Sequence, residues 1–143
     1  MIKKLLFLLV IAFCYSSALS QTVTPNKNDC VQNFTLEASL TSGDNPRVGD
    51  ILISYDFSKN SNAKNLVLTF EVQPLNSCWN GLDGKNRSEA KKFKVNSLSQ
   101  NDTGIQKLEY TDLNCKCIKW KAKIVNMITN CETITDWQFT SFL

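Results

Sequence analysis

Apolar and polar residues alternate most regularly between residues 115 and 124. Ile118, Trp120, Ala122 and Ile124 fall on one side of the alternation, and Lys119, Lys121 and Lys123 on the other. A period of two belongs to an extended strand with one face against a core and one face in water. The pattern recurs upstream. Phe34, Leu36, Ala38 and Leu40 alternate with Thr35, Glu37 and Ser39; Ile51, Ile53, Tyr55 and Phe57 alternate with Leu52, Ser54 and Asp56. Leu66, Leu68, Phe70 and Val72 alternate with Val67, Thr69, Glu71 and Gln73 until Pro74, which cannot donate to a central ladder and ends the run. Phe93 and Val95 between Lys92, Lys94 and Asn96 predict a short strand, and Leu108 with Tyr110 another. Residues 133–143 close the chain with Trp137 and Phe139 on one face, expected to be buried.

Turn chemistry separates these runs. Residues 41–46 (Thr-Ser-Gly-Asp-Asn-Pro) are dense in turn formers, and Asn80-Gly81 and Asp83-Gly84 punctuate a loop over 76–86. No segment holds a helical period over a long window. Short strands at this spacing predict an all-β chain, an antiparallel β-sandwich of about seven strands.

The first twenty residues predict a cleaved signal peptide. Lys3 and Lys4 form a basic start, residues 5–13 an apolar run, and Ala18-Leu19-Ser20 a small-x-small cleavage site before Gln21. Nine apolar residues fall short of the roughly 20 a bilayer span needs. The expected organisation is therefore a signal peptide over 1–20, an irregular polar segment over 21–32 and one β-sandwich domain over 33–143, secreted or periplasmic and without a transmembrane segment. From Gln21 onward, fourteen basic and thirteen acidic residues leave a formal charge of +1. That balance gives no electrostatic case for nucleic acid. The charge is uneven, with ten basic and four acidic residues over 85–123.

The complete absence of histidine removes Ser-His-Asp and Cys-His catalysis and any imidazole metal ligand. The thirteen acids show no converging pair for acid–base work, and no Gly-rich phosphate loop is present. No catalytic residue, metal or cofactor is expected. Beyond the signal peptide five cysteines remain, Cys30, Cys78, Cys115, Cys117 and Cys131. Export makes disulfides the default, and an odd count leaves one thiol.

Arg47-Val48-Gly49-Asp50-Ile51-Leu52-Ile53-Ser54-Tyr55, running on to residues 62–68, resembles the first hairpin and next strand of secreted bacterial immunoglobulin-like modules. Lys119-Trp120-Lys121-Ala122 and Trp137-Gln138-Phe139-Thr140 are similar to the last two strands of fibronectin type III modules. Together these stretches cover about half of the chain beyond the signal peptide. The cysteine of strand B and the tyrosine corner of those families are missing. The resemblance implies a fold and transfers no active site or ligand. It also implies that residues 117–126 are the penultimate strand, antiparallel to residues 65–73. Cys78 would then lie near Cys115 and Cys117, and Cys131 near Cys30 at the other end. Nine residues of strand span about 30 Å, so Cys131 could not reach back to Cys115 or Cys117. The pairing implied is Cys30–Cys131, with Cys78 bonded to one of Cys115 and Cys117.

Three features carry candidate chemistry. The thiol left at Cys115 or Cys117, with Lys116 and Lys119 beside it to favour a thiolate, suits redox or soft-metal handling. Lys119, Lys121 and Lys123 form a basic stripe that Lys92 and Lys94 extend if their strand joins the same sheet. Such a stripe suits an anionic glycan, a lipid headgroup or an acidic partner, and equally a solvated outer face that discourages edge pairing. Trp79, between Cys78 and a turn, is the tryptophan expected in solvent and a candidate stacking surface. The sequons at Asn33, Asn86 and Asn101 are about as many as this composition gives by chance. The expected function is a monomeric, non-enzymatic binding or adhesion module for a protein or glycan. The alternatives are a thiol protein using Cys115 and Cys117, and a small secreted inhibitor or cell-envelope structural component.

Overall fold

Alternation becomes two antiparallel sheets in the computed structural model, which describes residues 20–42, 47–95 and 98–142. The predicted signal peptide, apart from Ser20, and most of the 41–46 turn lie outside the described residues. One sheet is ordered β1 (Gln21–Val23), β2 (Thr35–Ser42), β3 (Gly49–Asp56) and β6 (Thr103–Leu108). The other is ordered β5 (Lys91–Val95), β4 (Leu66–Pro74), β7 (Cys117–Asn126) and β8 (Glu132–Ile134), with β9 (Gln138–Ser141) also pairing β7. The chain makes a β2–β3 hairpin, crosses to β4 and β5, returns to β6 beside β3, then crosses again to β7. This two-sheet antiparallel arrangement is compatible with an immunoglobulin-like sandwich, with β4 antiparallel to β7 from Leu66↔Asn126 to Pro74↔Ile118.

Among the described residues nine strands stand where about seven are expected, for two reasons. The closing strand is split into β8 and β9, and a three-residue strand precedes the first. That strand corrects the irregular reading of residues 21–32. Gln21 pairs with Ala38, its Nε2 donates to the Phe139 carbonyl (2.5 Å), and its Oε1 accepts from Thr140 Oγ1 (3.0 Å). One polar side chain thereby ties an edge of the first sheet to β9 of the second.

The core lies between the sheets. Ile51, Ile53, Tyr55 and Phe57 come from β3 and its end, Leu66, Leu68, Phe70 and Val72 from β4, and Ile118, Trp120, Ala122 and Ile124 from β7; all are buried. Trp120 meets Phe70 edge-on, with ring centroids 6.1 Å apart, and its indole N–H donates to Thr140 Oγ1 (3.0 Å). A buried indole needs such an acceptor.

Three expectations are corrected at the margins. Leu40, placed in the core by alternation, is half exposed, because it sits near the end of β2. Tyr110 is not part of a strand; it opens a single helical turn, α1 (Tyr110–Leu113), closed by Asn114 in the left-handed region at φ 47°. Trp137 and Phe139 are only partly buried, and Phe142 takes the fully buried place at the end of the chain. Gly104 on β6 stands opposite Tyr55, whose phenol ring occupies the space a β-carbon would need.

Candidate functional site

The outer face of the five-stranded sheet is assembled by register. Residues directly opposite each other in an antiparallel pair share a face. Lys92 pairs with Glu71, which pairs with Lys121; Lys94 pairs with Thr69, which pairs with Lys123; Gln73 pairs with Lys119, which pairs with Phe139. The core takes Phe70 and Val72 of β4, so these rows lie on the outer face, where Gln73 is covered and its Nε2 donates to the Pro74 and Ser88 carbonyls. All five lysines named as a candidate face therefore stand together, from two strands separated by β4.

Their charges are only partly answered. Lys121 Nζ lies 3.8 Å from Glu71 and Lys123 Nζ 2.8 Å from Glu132. Among the described residues Lys92 and Lys94 have no ion pair. Trp137, in the β8–β9 connection, lies beneath two ammonium groups, with Lys121 Nζ 4.4 Å and Lys119 Nζ 5.3 Å from the ring centroid. The lysine stripe thus acquires an aromatic from a neighbouring segment. Cation–π contact of this kind contributes about 0.5–1 kcal/mol at exposed sites and holds the long side chains in place.

The opposite outer face has the reverse sign. On β2, β3 and β6 the solvent side carries Glu37, Asp50 and Asp56 against Lys107. Lys107 is held by Asp50 and Glu109, each at 3.1 Å, and these partners raise its pKa above the ordinary lysine value. The near-zero total charge conceals two faces of opposite polarity.

At its start, β7 is joined to the 76–86 loop by a disulfide between Cys78 and Cys117, whose α-carbons are 5.4 Å apart. Cys117 occupies the next outward position after Lys119. The loop folds back on itself through Asn76 N–H to the Lys85 carbonyl (2.9 Å) and Arg87 N–H to the Pro74 carbonyl (2.9 Å). A 3-10 turn over Gly81–Asp83 starts at Gly81, whose φ of +53° suits glycine. Lys119 Nζ donates to the Leu82 carbonyl (3.4 Å), so the loop borders the lysine face. On it Trp79 is 93 % exposed.

The second disulfide joins Cys30 to Cys131 across 101 residues of sequence. It fastens the segment before β2 to the turn after β7, beside a bond from Val31 N–H to Thr133 Oγ1 (3.0 Å).

Among the described residues Cys115 is the remaining thiol, and it is 4 % exposed. It lines a cleft of about 350 Å³ together with Leu75, Cys78, Arg87, Tyr110 and Cys117. Burial pushes its pKa above the ordinary thiol value. Hydrogen bonds from the Leu75 and Cys117 backbone and the charges of Arg87 and Lys91 oppose that shift without cancelling it. The thiolate expected from Lys116 and Lys119 is corrected accordingly: desolvation of the sulfur outweighs nearby charge. Cys115 and Cys117 do not form a dithiol, since Cys117 is bonded to Cys78. A thiol reagent is expected to modify no cysteine of the native chain from Gln21 and one, Cys115, after denaturation without reductant. Two rapidly reacting native thiols, counted by mass spectrometry, would contradict this pairing.

Compared with family models, curated proteins and solved structures, the chain matches none. Among the described residues no helix is long and apolar enough to cross a membrane.

Proposed function

We propose that the protein is an exported, non-enzymatic binding module of the immunoglobulin-like and fibronectin type III-like kind. Its contact surface is the lysine face of the five-stranded sheet together with the Trp79 loop. The observation that carries the reading is the register that brings Lys92, Lys94, Lys119, Lys121 and Lys123 onto one face. The acidic outer face of the other sheet supports it, because an anionic partner would be drawn to one side of the molecule and repelled from the other. Export is supported by the basic-apolar-cleavable pattern of residues 1–20 and by two disulfides, which persist in oxidising compartments. The thiol reading receives no such support, since one of its two sulfurs is bonded and the other is buried.

Charge reversal tests the reading. The chain from Gln21 and its Lys119→Glu/Lys121→Glu/Lys123→Glu variant are passed over immobilised chondroitin sulfate, polyglutamate, phosphatidylglycerol vesicles and neutral dextran. Retention of the parent chain by an anionic surface, lost in the variant, is the expected result. Equal retention of both on every surface contradicts it.

A further inference from the structure

We infer that the partner of this face is an extended acidic polysaccharide, lying along β7 with its anionic groups on Lys123, Lys121 and Lys119 and a sugar ring against Trp79. The inference rests on the sheet face being the contact surface.

Geometry sets the direction of the ligand. Outward positions of one strand recur about every 6.8 Å, so Lys123, Lys121 and Lys119 form a line on β7. The next outward position, Cys117, lies about 20 Å from Lys123 by the same rise. There the disulfide to Cys78 takes over and fixes the neighbouring Trp79 at the end of the line. Cys117 itself is buried, and the cationic track thus ends beside the loop that carries the exposed Trp79 indole. The ammonium groups are pre-positioned by Glu132, by Glu71 with the Trp137 ring, and by the Leu82 carbonyl. Side chains already held lose less freedom when a ligand arrives. A path across the strands is less favourable, because the Glu71 carboxylate stands between Lys92 and Lys121. Lys92 and Lys94, two strands and about 10 Å away, form a second bank beside the track.

A membrane surface would use lysines surrounded by apolar side chains, and this face has some: exposed Ile134 stands opposite Lys123, half-buried Phe139 opposite Lys119, and Trp79 and Leu82 lie on the bordering loop, so lipid vesicles are the comparison that separates a membrane from a polysaccharide. A nucleic acid, with its dense charge, is poorly matched to three lysines on a chain whose formal charge from Gln21 onward is +1. A polysaccharide carrying a carboxylate or sulfate on some rings uses both parts: charge along β7 and the apolar C–H face of a ring on the Trp79 indole.

Calorimetric titration of the chain from Gln21 with chondroitin sulfate, at low and near-physiological salt, tests the inference. Neutral dextran and mixed phosphatidylcholine–phosphatidylglycerol vesicles serve as comparisons, and thermal melting verifies that each variant is folded. Lys119→Gln/Lys121→Gln/Lys123→Gln is expected to weaken chondroitin sulfate binding at least about tenfold, the size expected for three partly exposed charge contacts, and to flatten its salt dependence. Trp79→Ala is expected to weaken it several-fold with the salt dependence unchanged, because stacking is lost and charge is kept. Lys27→Gln/Lys59→Gln/Lys64→Gln, away from the face, is expected to leave it unaltered. Absence of binding at low salt, or a Trp79→Ala variant that binds like the parent, overturns the inference. Tighter binding to vesicles, abolished by the same lysine substitutions, overturns the polysaccharide while keeping the face as the contact surface. Undiminished chondroitin sulfate binding by the triple variant overturns both readings.

Discussion

Trp120→Ala is expected to cost about 3–5 kcal/mol of stability, the range for deleting a fully buried aromatic side chain. Trp120 is wholly buried, packs edge-on against Phe70, and its departure also strands Thr140 without its indole donor. Trp137→Ala is expected to cost less than about 2 kcal/mol, because its ring is partly exposed and its specific partners are two ammonium groups, each contact contributing about 0.5–1 kcal/mol. Urea unfolding reads the difference as a large fall in midpoint for the first variant and a small one for the second, with little change in slope. Equal losses would mean that both tryptophans share the core and that the outer face is wrongly assigned.

Removing either disulfide is expected to cost a similar amount, with an order set by the length of chain each one closes. On the chain-entropy scaling, serine at both Cys30 and Cys131 costs about 4.7 kcal/mol and serine at both Cys78 and Cys117 about 3.9 kcal/mol. The bridges close 101 and 39 residues respectively. Domains of ordinary stability hold about 5–15 kcal/mol in total, so either double variant should melt far below the parent. The two losses differ in kind as well. Without Cys30–Cys131 the segment before β2 is released from the turn after β7. Without Cys78–Cys117 the Trp79 loop is released from the lysine track. Thermal melting followed by far-UV circular dichroism checks the order. An unchanged melting temperature for the Cys30→Ser/Cys131→Ser variant would contradict the pairing.

Legibility in the sequence follows burial. β3, β4 and β7 are readable because one face of each is wholly in the core, so alternation along 51–57, 66–72 and 118–124 is nearly perfect. The strand order through β7 then gives the ends at which the cysteines meet. β1 is unreadable because Gln21-Thr22-Val23 contains one buried apolar residue, and its place depends on partners more than a hundred residues away. Leu108 with Tyr110 marks only the end of β6 (Thr103–Leu108), for a related reason. Ile105 faces solvent, while the inward position opposite Tyr55 is Gly104, which leaves no hydrophobic signal.

The candidate site divides in the same way. The β7 lysines and the exposed Trp79 are visible as residues, but strand pairing alone decides whether Lys92 and Lys94 join them. Nothing local to residues 91–95 encodes the register that sets Lys92 beside Glu71. Trp137 is not legible, because period two places it with Phe139 without saying which face of the sheet the pair occupies. Its position under Lys119 and Lys121 belongs to tertiary structure. Neighbouring charge alone does not foretell the thiol's state, since burial of Cys115 is a property of the cleft around it.

The central claim is that the outer face of the five-stranded sheet makes the contact, and amide and indole chemical-shift mapping during a chondroitin sulfate titration tests it most directly. The account predicts that shifts concentrate at Lys119, Lys121, Lys123 and the indole N–H groups of Trp79 and Trp137, with Lys92 and Lys94 following and Glu37, Ser54 and Asp56 unmoved. Shifts centred on β2 and β3, or on the turn around Met127 and Ile128, would contradict it.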